Sequence, residues 1–417
     1  MLTGIIKAWL TRSFRPFLFE RKQTNTLDYA DLDGLGLYVH IPFCRSLCSF
    51  CPYCKVRYEK GLAEMYVQAL HQEIALVGEG LPAKKTVTSL YSGGGTPALL
   101  VDDLKGIIDQ LQEYFIISEG IGIELHPEDI TVDTLQKLRT AGITMISIGV
   151  QSFDQSSLAN LGRKGSKEEL AAKVELASQA GFTVIDVDLI FAIPGQTAEI
   201  LISDVDIAFA HGATQVSTYP FIDFTFADNR CKPLPESEKK AMLKALVDHC
   251  RGIGKQRTSV WTFANPGTGR YSSVTRESFL GFGVSATTLL WEQFKINTFS
   301  VEAYLKRIDS GELPTALILD FTKRQRGAYY LFWSAYLMEL DPVRFEKTVG
   351  VPLMQMFGLE LWLLEKLGLL FQKAGRYFLT DRAAYYYHYL EQAYTTAYID
   401  KMWRILGKEA FPKEIRL

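Results

Sequence analysis

The stretch Leu37–Lys55, LYVHIPFCRSLCSFCPYCK, carries four of the chain's six cysteines within eleven residues. Cys44, Cys48 and Cys51 follow the spacing C-x3-C-x2-C, and Cys54 comes three residues later. The apolar run Leu37–Ile41 reads as a buried strand, so the cysteines occupy a loop leaving its carboxyl end, where parallel α/β folds place their chemistry. Three thiolates undershoot the four ligands of a structural zinc site, and a chain of this length without secretory features needs no disulfide framework. They suit an iron–sulphur cubane with one iron left open for a ligand. Cys54 leaves alternatives: a fourth ligand of a closed metal site, or a partner of Cys51 in a zinc or redox C-x2-C. Plain structural thiols are the remaining reading.

Outward from this loop, strand-like runs alternate with amphipathic helical stretches. The strands are predicted at 37–41, 87–92, 121–125, 145–150, 184–190 and 216–219. Helices are predicted between them at 62–77, 101–114, 132–141, 167–180 and 198–210, several closed by glycine. Six β-α units in series predict an α/β fold, a parallel sheet with helices outside, closed or partly closed into a barrel whose strand ends converge on one mouth.

Polar residues and glycines do gather after these strands. The second ends in Ser92-Gly93-Gly94-Gly95-Thr96-Pro97, whose glycines let backbone approach a polar ligand. The third ends in Glu124-Leu125-His126-Pro127, and the fourth in Gly149-Val150-Gln151-Ser152. Glu124 and Gln151 read either as ligand contacts or as members of an interior polar network. Arg163 follows in LGRKG. Asp186 and Asp188 share one face of the fifth strand, and an inward carboxylate there needs a ligand or Arg163 as a partner.

The four segments expected are an amphipathic arm (1–34), a barrel core (35–225), an extension with a substrate or second-ligand region (226–320) and a helical, winged-helix-like region (321–417). The arm mixes Trp9, Phe14, Phe17 and Phe19 with Lys7, Arg12 and Arg15; it packs on the body or lies in a membrane interface, and has no transmembrane run. Phe221, Phe224 and Phe226 form an aromatic loop, residues 279–286 a glycine-bearing turn, and Cys231 and Cys250 structural thiols. A net charge of -2 and the absence of a basic recognition helix point away from nucleic acid. Clustered cysteines point to a reducing cytoplasm.

Taken in order, YVHIPFCRSLCSFC, YSGGGTP, IELHP, SIGVQSFD, LGR and DVDLIFAIPGQT resemble the radical S-adenosylmethionine (SAM) enzymes of the oxygen-independent coproporphyrinogen III oxidase group. The resemblance covers roughly residues 35–300. It implies a partial (β/α)6 barrel with a [4Fe–4S] cluster on Cys44, Cys48 and Cys51, and with SAM on the open iron cleaved to methionine and a 5′-deoxyadenosyl radical. Gly93, Gly94, Gly95 and Thr96 would contact the methionine part of SAM. Glu124, Gln151 and Asp188 would bind its polar groups, Arg163 its carboxylate, and Phe50 would stack near the adenine. Tyr38 would touch the cluster or substrate. Members of the group can hold a second SAM, and reduced flavodoxin or ferredoxin is the implied electron donor.

The departures are informative. Cys54 is extra and reads as a non-ligand. The HNxxYW-type motif of the haem-carrying branch is absent, and the aromatic loop at 221–226 lacks cations for propionates, which speaks against a true coproporphyrinogen oxidase. The leading expectation is a C-methyltransferase acting on a hydrophobic or aromatic small molecule. The alternatives are a tetrapyrrole-processing enzyme, either a decarboxylase or an anaerobic haem-degrading enzyme, and a haem-binding chaperone. The expected location is the cytoplasm, with peripheral contact at the inner membrane face left open.

Overall fold

The computed structural model describes residues 2–22, 26–227, 229, 231–269 and 277–417; positions 23–25 of the expected arm lie outside that set. The strands of the main sheet are β1 (Leu18–Glu20), β2 (Leu35–Ile41), β3 (Lys85–Gly94), β4 (Phe115–Leu125), β5 (Met145–Gln151), β6 (Val184–Phe191), β7 (Gln215–Pro220), β8 (Gln256–Arg257), β9 (Thr262–Ala264), β10 (Ser278–Phe282), β11 (Thr287–Leu290), β12 (Gln293–Asn297), β13 (Thr315–Asp320) and, at the end of the chain, Glu414–Arg416. Their order is β8-β9-β7-β6-β5-β4-β3-β2-β10-β11-β12-β13-β1 and then Glu414–Arg416. Strands β2 to β7 run parallel in sequence order, and β10 adds a seventh parallel strand beside β2. This is the partial (β/α)6 barrel that the resemblance implies, prolonged by an antiparallel extension.

In β2 every residue except Tyr38 is buried, as parallel strands covered on both faces require. The helices that follow these strands are α2 (Lys60–Gly78), α3 (Val101–Tyr114), α4 (Val132–Thr140), α5 (Gln155–Asn160), α6 (Lys167–Ser178), α7 (Ala198–Ala210) and α8 (Glu236–Gly252), while α1 (Leu2–Thr11) packs on helices of the carboxyl-terminal region. Capping fixes several starts. Ser166 and Glu169 form a capping box on α6, and Thr197 of the PGQT run accepts from the Ile200 amide at the start of α7.

Two elements differ from the sequence reading. Strand β4 begins at Phe115, not residue 121, because Ser118-Glu119-Gly120 interrupts the apolar pattern without ending the strand. The turn expected at 279–286 is half strand: Ser278–Phe282 pairs with β2, and Gly281 permits close approach to β11, where an added Cβ would meet the Thr287 carbonyl oxygen at 2.2 Å.

Helix α9 (Val301–Asp309) precedes β13, and beyond that strand come α10 (Lys323–Tyr336), α11 (Pro342–Val349), α12 (Leu353–Lys366) and a hairpin of Leu370–Lys373 with Arg376–Leu379. Helix α13 (Asp381–Tyr394) passes through a π turn, Thr395–Ile399, into α14 (Asp400–Leu406). The amino-terminal arm packs on the body: Ala8, Thr11 and Phe19 are buried, α1 contacts α10 and α13, and β1 pairs with β13 and Glu414–Arg416. Among the described residues no helix is long and apolar enough to cross a membrane.

Candidate functional site

The cysteine loop is pinned at its base. Phe43–Cys44 pairs in parallel with Val56–Arg57, the Val56 amide donates to the Pro42 carbonyl at 2.8 Å and the Tyr58 amide to the Cys44 carbonyl at 2.9 Å. The glycine run is stitched to the same base, Gly95 N–H to Ile41 O and Thr96 N–H to Phe43 O, both at 2.7 Å. Thr96 Oγ1 lies 3.7 Å from Cys44 Sγ, and Arg163 Nη1 3.7 Å from Cys48 Sγ. Lys55 Nζ donates to the Cys51 carbonyl at 2.5 Å. Burial pushes the Cys44 thiol up to about 11 and raises Cys51 as well, so binding a metal centre there releases protons.

Cys54 behaves differently, its Sγ donating to the Phe299 carbonyl at 3.3 Å. Among the described residues no three His, Cys, Asp or Glu side chains are grouped to hold a single metal ion. Cys231 and Cys250 lie outside the loop, Cys231 donating to the Asn160 carbonyl and Cys250 buried.

The glycines form a cradle with no room for side chains. A Cβ on Gly93 would sit 2.9 Å from Glu124 Oε1, one on Gly94 2.6 Å from the His40 ring, and one on Gly95 2.6 Å from the Phe43 carbonyl oxygen. Glu124 accepts from the Tyr91 hydroxyl at 2.9 Å and from the Gly94 amide at 3.2 Å, and burial raises its pKa. Tyr38 stacks on Tyr91 with ring centroids 6.3 Å apart, and its hydroxyl meets His40 Nδ1 at 3.0 Å. Burial lowers the His40 pKa to about 4, so the ring is neutral.

Gln151 adopts a left-handed backbone, φ 75°, at the end of β5, a strained position of the kind that clusters at ligand sites. The sequence reading offered a ligand or Arg163 as the partner of an inward carboxylate, and the structure removes Arg163 from that choice. Arg163 Nη2 donates to the Gly149 carbonyl at 2.6 Å. Asp188 is instead served by Ser147 Oγ at 2.6 Å, and Asp186 by Gln215 Nε2 at 2.9 Å and Ser217 Oγ at 2.8 Å. Both carboxylates are raised by burial, Asp186 to about 6, and Asp188 further by the neighbouring Asp186 charge. Oδ1 of Asp186 is buried with no hydrogen-bond partner among the described residues.

One cavity of about 1140 Å³ gathers this set. Every sequence-predicted site residue lines it except Gly93, which lies behind Glu124. Its volume exceeds the roughly 300–1,000 Å³ of an ordinary ligand pocket, leaving room for SAM and a second flat molecule. Sequence reasoning missed the far wall. Trp403 on α14 is its hub, stacked with Phe224 (6.4 Å, 13°) and in contact with Phe226, Phe299 and Tyr53. Lys7, Lys55, Arg163 and Arg257 also line the cavity, supplying cations that the aromatic loop alone lacks. The donor set fits the expected cofactors: three thiols on one pinned loop, a glycine cradle, and buried carboxylates including an unpaired oxygen.

The radical SAM superfamily model matches residues 38–206. The chain is 30% identical over 282 residues to the heme chaperone HemW of Lactococcus lactis, covering 64% of this chain and 73% of that protein. It belongs to the radical SAM superfamily. Within it the chain falls in the oxygen-independent coproporphyrinogen III oxidase-like group, being 29% identical over 306 residues to that oxidase of Pseudomonas aeruginosa, with 67% of this chain and 66% of that protein covered. The structure of coproporphyrinogen III oxidase HemN from Escherichia coli superposes with a TM-score of 0.76 over 93% of this radical SAM chain and 98% of the other, at 23% identity, which shows the shared fold. The cofactors of this radical SAM enzyme are a [4Fe–4S] cluster and SAM. The relatives back the tetrapyrrole and haem alternatives rather than C-methylation.

Proposed function

We propose that this radical SAM enzyme acts on a tetrapyrrole carrying ionised side-chain carboxylates. The carrying observation is a single cavity in which the cysteine loop, an aromatic wall and four cationic side chains face one another. Bound together, the cluster and SAM supply a carbon-centred radical able to take a hydrogen atom from an unactivated C–H bond. Cys44, Cys48 and Cys51 would hold the cluster, leaving Cys54 aside. Gly94, Gly95 and Thr96 would take the methionine end of SAM through backbone groups, Glu124, Gln151 and Asp188 its polar groups, Arg163 its carboxylate, and Phe50 the adenine face. Gly93 acts indirectly, keeping Glu124 close. Tyr38, held by His40, stands between cofactor and substrate. Aromatic rings around Trp403 would cover the macrocycle and exclude water, and the Lys7 and Lys55 cations would pair with its carboxylates, Arg257 being already paired with Asp381. Reduced flavodoxin or ferredoxin remains the electron donor we infer.

Anaerobic incubation of cluster-loaded protein with reductant, SAM and either coproporphyrinogen III or haem tests this. Consumption of the tetrapyrrole with release of 5′-deoxyadenosine is the expected result. A second reading, haem binding without turnover, is favoured by relatives named heme chaperones; stoichiometric haem retention with no deoxyadenosine would establish it instead. Release of S-adenosylhomocysteine would restore C-methylation.

A further inference from the structure

The π turn Thr395–Ile399 interrupts the helix that closes the cavity, and such turns concentrate at functional sites. Residues around it, Glu391, Tyr394, Tyr398 and Trp403, line the chamber. Glu391 Oε1 accepts from Thr395 Oγ1 at 2.7 Å. Its other oxygen, Oε2, is shielded from solvent and has no hydrogen-bond partner among the described residues. Leaving a buried acceptor unpaired costs about 1–3 kcal/mol, a cost that a donor from a bound molecule reaching this oxygen would relieve. Glu391 and Tyr53 of the cysteine loop line the same chamber, and the Glu391 charge is among those felt by the Tyr53 hydroxyl. Burial raises Glu391 to about 7, as expected of a carboxylate still lacking its partner.

We propose that Glu391 is a substrate-recognition residue that accepts hydrogen bonds from the pyrrole N–H groups of a reduced, metal-free tetrapyrrole. This rests on the tetrapyrrole reading above and narrows it. A carboxylate oxygen only accepts, and the surrounding aromatic rings suit the faces of a macrocycle. In a porphyrinogen the saturated bridges let the ring pucker, turning its N–H groups out of the ring toward one side. In haem the nitrogens are bound to iron and offer no donor, so the site discriminates between the two. A site built to accept a hydrogen bond rejects a ligand lacking the donor, since its own polar group stays unpaired.

The test is anaerobic equilibrium binding of coproporphyrinogen III and of haem to cluster-loaded wild type, Glu391→Gln and Glu391→Leu. For the porphyrinogen, affinity should fall in the order wild type, Gln, Leu, with a loss of roughly tenfold or more at Leu. Haem affinity and SAM affinity should stay within about twofold across the series. Glu391→Gln keeps an acceptor for the Thr395 hydroxyl and should melt no lower than wild type, whereas Glu391→Leu removes that acceptor and should melt somewhat lower. Equal losses for both tetrapyrroles, or no loss for the porphyrinogen, would overturn the role of Glu391 while leaving the tetrapyrrole reading standing. Failure of the wild type to bind either ligand would sink both.

Discussion

Asp400, the first residue of α14, accepts two hydrogen bonds from Thr225, one from its backbone amide at 2.7 Å and one from its hydroxyl at 2.5 Å. The contact joins the loop after β7, which carries Phe224 and Phe226, to the helix that carries Trp403. The aromatic wall therefore moves as one piece. Asp400→Ala should leave the Thr225 amide unpaired at a cost of about 1–3 kcal/mol. We expect a lower melting temperature and weaker binding of the tetrapyrrole, with SAM affinity unchanged; a parallel loss of SAM affinity would show that the contact supports the whole mouth rather than one wall.

Cys54 is separated from its neighbours by its hydrogen bond to the Phe299 carbonyl. Cys44→Ala, Cys48→Ala and Cys51→Ala should each lose the iron–sulphur chromophore after reconstitution and abolish SAM cleavage. Cys54→Ala should retain both. Iron and sulphide analysis of the four variants decides it, and a cluster lost in Cys54→Ala would return the closed four-cysteine site to consideration.

The six parallel strands and their helices were legible because buried apolar runs and helical periodicity are local signals. The mouth was legible for the same reason: each polar cluster sits directly after a strand. The far wall was not. In α13 the buried side chains are Ala383, Ala384, Tyr387, His388 and Gln392, and tyrosine, histidine and glutamine carry no apolar stripe that separates core from surface. Glu391 and Trp403 therefore gave no sign that they face a ligand, and Arg257, about two hundred residues from the cysteine loop in sequence, reaches the cavity only through the sheet order. Strands β10 to β12, where the sheet turns from parallel to antiparallel, are only four or five residues long, too short for alternation to stand out.

The glycine cradle yields a graded expectation. In Gly93→Ala the new methyl would press on the Glu124 carboxylate, a side chain able to move. Overpacking of about 1–3 kcal/mol should weaken SAM binding by roughly ten- to a hundredfold while the protein stays folded and holds its cluster. In Gly95→Ala the methyl meets the Phe43 carbonyl, backbone at the base of the cysteine loop. That variant should lose the cluster itself. Iron content against SAM affinity separates the two, and equal behaviour would mean that the cradle acts as one rigid unit.

Glu73 on α2 offers a test of stability remote from the cofactors. It is 2% exposed and accepts hydrogen bonds from the Gly283 amide at 2.6 Å, the Tyr304 hydroxyl at 2.8 Å and Asn297 Nδ2 at 3.3 Å, tying α2 to the turn after β10 and to α9. Burial raises its pKa from 4.5 to about 7, against the opposing pull of those donors. The folded state therefore holds the proton more tightly than the unfolded chain. Its contribution to stability is full below about pH 4.5 and is lost as pH rises through about 7. Glu73→Gln cannot titrate, so the melting temperature of wild type relative to Gln should fall across that window and level off above it. Glu73→Leu, which orphans three donors, should cost about 3 kcal/mol at any pH. A wild-type-to-Gln difference that stays constant from pH 4.5 to 7 would show that Glu73 keeps an ordinary carboxylate pKa in the folded protein.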